Sequence, residues 1–174
     1  MDIINSVWGG MHTAAAVIAL ATGAYVLMRP KGDGRHRSVG RVYAAAMVLL
    51  VLAGIPMAEN GLSAFHYLSI ITAISIAAGM VMIWRARFER DPKTRAGLVF
   101  GHYKFMAWSY AGLVAAGAAQ LATRIAVAWG GMATFWWAVV AASLAICGLA
   151  ALWIRLSDRL IIRRYARALD AGAS

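Results

Sequence analysis

The chain has 174 residues, of which 62% are hydrophobic and 14% charged, and it carries a formal net charge of +10. A soluble domain is nearer half apolar and a quarter charged, so this composition excludes an ordinary soluble globule and belongs in a bilayer. The arginines lie between and after long apolar runs, so the charge reads as topology signals and lipid head-group contacts and not as a nucleic-acid surface.

The first residues, Met1-Asp2-Ile3-Ile4-Asn5-Ser6, carry no basic n-region, so the first apolar run is expected to stay as a spanning helix. A span needs about 20 mostly apolar residues. Five stretches qualify, at roughly 7–28, 39–58, 63–84, 98–123 and 133–154. Pro30-Lys31-Gly32-Asp33-Gly34 and Asp91-Pro92 break the chain between spans, Pro56 closes the second helix and Gly61 marks a short turn. Arg29, Lys31, Arg35, Arg37 and Arg41 flank the first link, and Arg85, Arg87, Arg90, Lys93 and Arg95 fill the third. Arg155, Arg159, Arg163, Arg164 and Arg167 follow the last span. The segments 1–6, 56–63 and 129–132 carry no positive charge. The bias predicts an outside N-terminus and a cytoplasmic C-terminus in a bacterial inner membrane. The fold expected is an all-α integral membrane five-helix bundle.

Trp8 and Trp129 fall at the outer boundary of these spans and Trp84 and Trp153 at the inner one, as belt residues do. In the fourth span Gly112, Ala115, Ala116, Gly117, Ala118 and Ala119 form a run of small residues, which lets helices approach closely in lipid and predicts a central place for that helix. The tail 155–174 has arginines at four-residue intervals with Leu156, Leu160, Ile161 and Tyr165 between them. It is either a basic amphipathic helix along the anionic inner leaflet or a helical extension of the fifth span.

The single cysteine, Cys147, excludes a disulfide framework, a CxxC metal site and a CxxCH haem attachment. None of the seven acidic residues lies mid-span, which weighs against a carboxylate-driven pump. No nucleotide loop, GxSxG or HExxH is present. Four histidines remain. His12 and His66 lie 17 and 19 residues before Arg29 and Arg85, hence about 26 and 29 Å from the inner arginines and near the outer surface. His36 and His102 open the second and fourth spans from the inner side. The halves therefore read as a duplicated helical hairpin about a pseudo-twofold axis along the membrane normal, with a fifth helix added.

On that axis His12 would face His66 and His36 would face His102. Opposed imidazoles are suitable axial ligands for b-type haem, with Arg41 and Lys104 near the inner pair and Arg124 near the outer pair as propionate partners. Two such haems would make a transmembrane electron path, exchanging electrons with a membrane quinone. Three other readings stay open. Each histidine is an interfacial side chain bonded to backbone or water. Alternatively, His36 and His102 form the core of a Zn, Cu or Ni site. In the third, the chain is a non-catalytic accessory or assembly subunit of a larger complex, or a homo-oligomer, packing through its small residues.

The phrases His36-Arg37-Ser38-Val39-Gly40-Arg41-Val42-Tyr43 and His102-Tyr103-Lys104-Phe105-Met106-Ala107-Trp108-Ser109-Tyr110-Ala111 resemble a bacterial membrane family of unknown function, domain two-three-zero-six. The resemblance rests on an H-R-x-x-G-x-x-Y phrase after the first helix, an H-x-x-x-M-x-x-S-Y-A phrase opening a later one, and a first-helix histidine that His12 matches. It covers roughly residues 10–125 and implies fold and topology. It implies no activity. The chain departs from the usual form where Tyr103 and Lys104 follow His102 and where Ala107 replaces a common arginine.

Overall fold

The computed structural model describes the backbone of residues 6–29, 32–57 and 64–171, and their side chains apart from 64–66 and 159–171. Five helices account for most of it: α1 (Val7–Met28), α2 (Gly34–Gly54), α3 (Ala64–Ala86), α4 (Pro92–Gly130) and α5 (Phe135–Ala171). All five are long and apolar enough to cross a membrane. There is no strand among the described residues. Helices suit this setting because each satisfies its own backbone hydrogen bonds where lipid offers none.

The helix starts follow from the polar residues left in the loops. The Ser6 Oγ accepts from the Gly9 N–H at 3.0 Å and opens α1. Asp33 caps α2 by accepting from the His36 N–H at 2.6 Å. Asp91 caps α4, with Pro92 in its first turn, and accepts from both the N–H (2.8 Å) and the hydroxyl (2.6 Å) of Thr94. Asn, Asp and Ser are favoured there because their side chains replace missing intrahelical acceptors. Gly131, at φ +70°, ends α4 in a conformation that a side chain would strain.

Two helices outrun the expected spans. At 39 and 37 residues, α4 and α5 are roughly 58 and 55 Å long, against a hydrocarbon core of about 30 Å. The extra turns of α4 lie at both ends, with Lys93 and Arg95 exposed at its start and Trp129 exposed at its finish. Those of α5 carry the arginine-rich tail, so the tail continues the fifth span without a break through Ala171. The side chains of Arg159, Arg163, Arg164 and Arg167 lie outside the described residues, as do Lys31 and the turn around Gly61.

The core belongs to the first four helices. Ala15 and Ala19 of α1, Tyr43, Ala46, Met47 and Leu50 of α2, Ile76 of α3 and Leu113 of α4 form one buried cluster. α1 packs along α2 and α3 along α4 to the same extent, while the contacts of α1 with α4 and of α2 with α3 are lighter and match each other. This is the packing expected of two equivalent hairpins. α5 lies outside the cluster, against α4. The central place expected for α4 is therefore correct: it packs along both α3 and α5 and touches α1 more lightly. Most of its small residues are used within the chain, since Ala107, Ala111, Ala115 and Ala119 form a buried ridge at one-turn spacing and Gly112 abuts Thr72 of α3, while Gly117 stays exposed. Trp8, Trp84, Trp129 and Trp153 keep their rings on the outside, as a membrane belt requires.

Gly23 of α1 is where two tyrosine rings cross the helix. A Cβ there would overlap the ring of Tyr110 and press on that of Tyr43. Gly23→Ala is expected to destabilise the bundle by about 1–3 kcal/mol through overpacking. Gly117→Ala, where nothing lies within 4 Å, is expected to be neutral or slightly stabilising, and thermal unfolding in detergent compares the two.

The cap of α4 has a pH signature. The Thr94 hydroxyl, followed by the Thr94 backbone N–H, holds the Asp91 carboxyl below its ordinary value. Its contribution to the helix start is present above the ordinary carboxylate pKa and is lost as pH falls through the depressed one. Acidification is expected to lower the amide protection at residues 93–95, measured against the intrinsic exchange rate at the same pH, before it affects the middle of α4, and Asp91→Asn should weaken that dependence.

Candidate functional site

The polar centre of the bundle is built by α2 and α4. The Tyr43 hydroxyl lies 2.8 Å from the Ser109 Oγ, and the Ser109 hydroxyl donates to the Met106 carbonyl at 2.8 Å. A carbonyl only accepts, so the serine proton is committed and Tyr43 is the donor of the first bond. The Tyr110 hydroxyl donates to the Leu20 carbonyl of α1 at 3.3 Å, and the rings of Tyr43 and Tyr110 lie 6.4 Å apart over Gly23. Tyr43 and Ser109 are both almost fully buried, at 2% and 1% exposed. The chain of hydroxyls ends on a carbonyl and clamps the helices.

Tyr43 and Ser109 are 66 residues apart, and the same shift carries His36 to His102. It also carries Met47 to Leu113 and Ala53 to Ala119, all four of them buried. A residue on a twofold axis meets its own equivalent, and Tyr43 meets Ser109. α2 and α4 run in the same direction, each beginning at an arginine-rich loop. His36 and His102 lie two turns before Tyr43 and Ser109, on the same helix faces, which sets both about 10 Å nearer the arginine-rich end and at one depth.

Two of the described histidines, His102 and His12, are each fastened to a neighbouring helix. The His102 Nδ1–H donates to the Gly79 carbonyl of α3 at 2.8 Å. The His12 Nδ1–H donates to the Leu50 carbonyl of α2 at 3.0 Å. Since each acceptor is a carbonyl, each Nδ1 carries a proton, and in the neutral tautomer with that proton the lone pair lies on Nε2. This is the arrangement in which an imidazole is ready to ligate a metal through Nε2. It equally satisfies a histidine that only ties two helices together. The His66 side chain lies outside the described residues.

The three cations expected beside these histidines differ in what they do. Lys104 places its Nζ 3.2 Å from Asp158 Oδ2 of α5 and 4.6 Å from the centre of the Phe100 ring. Its charge is thus spent on tying α5 to α4. Arg41 is exposed on α2 and donates from Nε to the Arg37 carbonyl at 3.3 Å. Arg124 is exposed near the far end of α4. Among the described residues no three His, Cys, Asp or Glu side chains converge as a metal-ion site. Sequence reasoning quoted Tyr43, Ser109 and Tyr110 only as parts of phrases and gave them no role. The 66-residue shift shared with the histidine pair was the available signal.

Removing either partner of the central bond has unequal consequences. Ser109→Ala strands the Tyr43 hydroxyl in a dry core, at a cost of about 1–3 kcal/mol. Tyr43→Phe leaves Ser109 bonded to Met106 and is expected to cost less, near the roughly 0.6 kcal/mol average of hydrogen bonds between membrane helices. In a double-mutant cycle, the Tyr43→Phe/Ser109→Ala protein should unfold no more readily than Ser109→Ala alone.

No curated protein and no solved structure matches the chain. One family model does match, described as predicted membrane protein (DUF2306), and it covers residues 9–154. That range takes in all four hairpin helices, the Tyr43–Ser109 clamp, all four histidines and most of the fifth span. The chain belongs to the DUF2306 family of predicted membrane proteins.

Proposed function

We propose that this membrane protein is a b-type haem protein that transfers electrons, with His36 and His102 as the axial ligands at the arginine-rich end and His12 and His66 as those at the other. The observation that carries the reading is the register of the inner pair. His36 and His102 share one depth and equivalent faces across the axis on which Tyr43 meets Ser109. The Nδ1 bonds of His102 and His12 to backbone carbonyls support it, because they hold each ring in the tautomer with Nε2 available.

The donor set favours haem over a bare metal ion. Two histidines leave Zn, Cu or Ni short of ligands, whereas they complete the axial set of a haem iron. Haem bound there would supply reversible one-electron chemistry. The chain's own part is to orient the imidazoles, exclude water with apolar helices and hold the propionates. Arg41 is the cation for the arginine-rich end, since Lys104 already holds the Asp158 carboxylate, and Arg124 serves the opposite end. A membrane quinone is the electron partner in this reading.

Absorption spectra of the gently purified protein, oxidised and reduced, test it directly. A Soret band with b-type α and β bands on reduction is expected. His36→Ala and His102→Ala should each remove the same fraction of the haem, leaving that held by His12 and His66. A correctly folded protein with no Soret band and no stoichiometric haem overturns the proposal and leaves the accessory-subunit reading in its place.

A further inference from the structure

At the arginine-rich end, the turn between α3 and α4 encloses an open hollow of about 320 Å³ lined by Trp84, Arg85, Phe88 and Glu89. The turn is well braced. The Arg87 and Phe88 N–H groups donate to the Trp84 and Arg85 carbonyls, and Glu89 Oε1 accepts from the Arg90 and Asp91 N–H groups at 2.9 and 3.0 Å. The Trp84 and Phe88 rings meet edge to face with centroids 5.4 Å apart. Arg85 and Glu89 carry opposite charges in one small hollow, yet they form no ion pair with each other, the Lys104–Asp158 bridge being the one found among the described residues.

The rim of the hollow is exposed and apolar. Trp84 and Phe88 are 59% and 70% exposed, and Val81, Met80 and Ile74 continue an exposed apolar strip up α3. From this arrangement we infer that the hollow binds the head group of an amine-bearing phospholipid. The guanidinium of Arg85 takes the phosphate through charge-assisted bonds. The primary ammonium reaches the Glu89 carboxylate and the aromatic faces beside it. The acyl chains lie on the α3 strip. A purely anionic head group would satisfy Arg85 but would bring its charge against Glu89. A quaternary ammonium would keep the charge but could donate no hydrogen bond to the carboxylate.

Native mass spectrometry from detergent, with an equimolar mixture of phosphatidylethanolamine, phosphatidylglycerol and phosphatidylcholine, tests the assignment. The wild-type chain is expected to retain phosphatidylethanolamine in preference to the other two. Arg85→Gln and Glu89→Gln should each lower that retention roughly tenfold, about the worth of one charge-assisted hydrogen bond. Arg37→Gln, in the other arginine-rich link, should leave it unchanged, and circular dichroism checks that each variant is folded. Preferential retention of phosphatidylglycerol, equal retention of all three lipids, or an equal loss in Arg37→Gln would overturn the site, the last because it would reveal diffuse attraction to the whole basic face. Neither result depends on whether haem is bound.

Discussion

A hydroxyl inside a dry helical bundle must find an acceptor, and in this protein that requirement joins the two halves of the chain. Between helices in lipid there is little hydrophobic driving force, since the surrounding tails are as apolar as the side chains. Close packing and a few polar bonds set the register instead. The bond from Tyr43 to Ser109 links α2 to α4 near the middle of the bundle. Tyr110 extends the link to α1 through the Leu20 carbonyl, and Gly23 leaves room for both rings. Once that contact is made, the depth of every other residue on the parallel helices follows from the helical rise.

The histidines then occupy complementary places. His12 ties α1 to α2 near one membrane surface, and His102 ties α4 to α3 toward the other. Each hairpin is thus closed by one imidazole–carbonyl bond as well as by packing. Gly79, the acceptor for His102, also lies against Phe105 and Met106, so α3 and α4 approach closely just where the histidine bonds. A ring held in this way loses little freedom on taking a ligand through its other nitrogen, which connects the packing of the hairpins to the proposed chemistry.

α5 breaks the twofold pattern, and the Lys104–Asp158 pair shows how it is attached. The residue equivalent to Lys104 by the 66-residue shift is Ser38, which carries no charge. At that position the second hairpin offers an ammonium to Asp158 and the first does not. The pair is partly exposed, with Lys104 at 43% and Asp158 at 17%, so its value lies more in choosing which hairpin α5 joins than in stability.

Much of this architecture was legible in the residues. Five apolar runs separated by basic links specify five spans because lipid excludes charge and unpaired backbone alike. The central position of α4 was readable from its alanines and glycines. The lengths of α4 and α5 were not, because apolar patterning ends at the edge of the hydrocarbon while helical hydrogen bonding continues into water until a cap such as Asp91 or Gly131 stops it. The pairing of His36 with His102 by depth was a matter of counting. Its anchoring could not be counted: that His12 and His102 bond to carbonyls, that Lys104 takes Asp158 and that Tyr43 meets Ser109 depend on which helix faces lie together. The sequence by itself determined that the chain crosses a membrane five times and which residues sit at which depth. Only the tertiary structure decided which of those residues touch, because rotation of each helix about its own axis is set by packing against its neighbours and leaves no periodic trace in the chain.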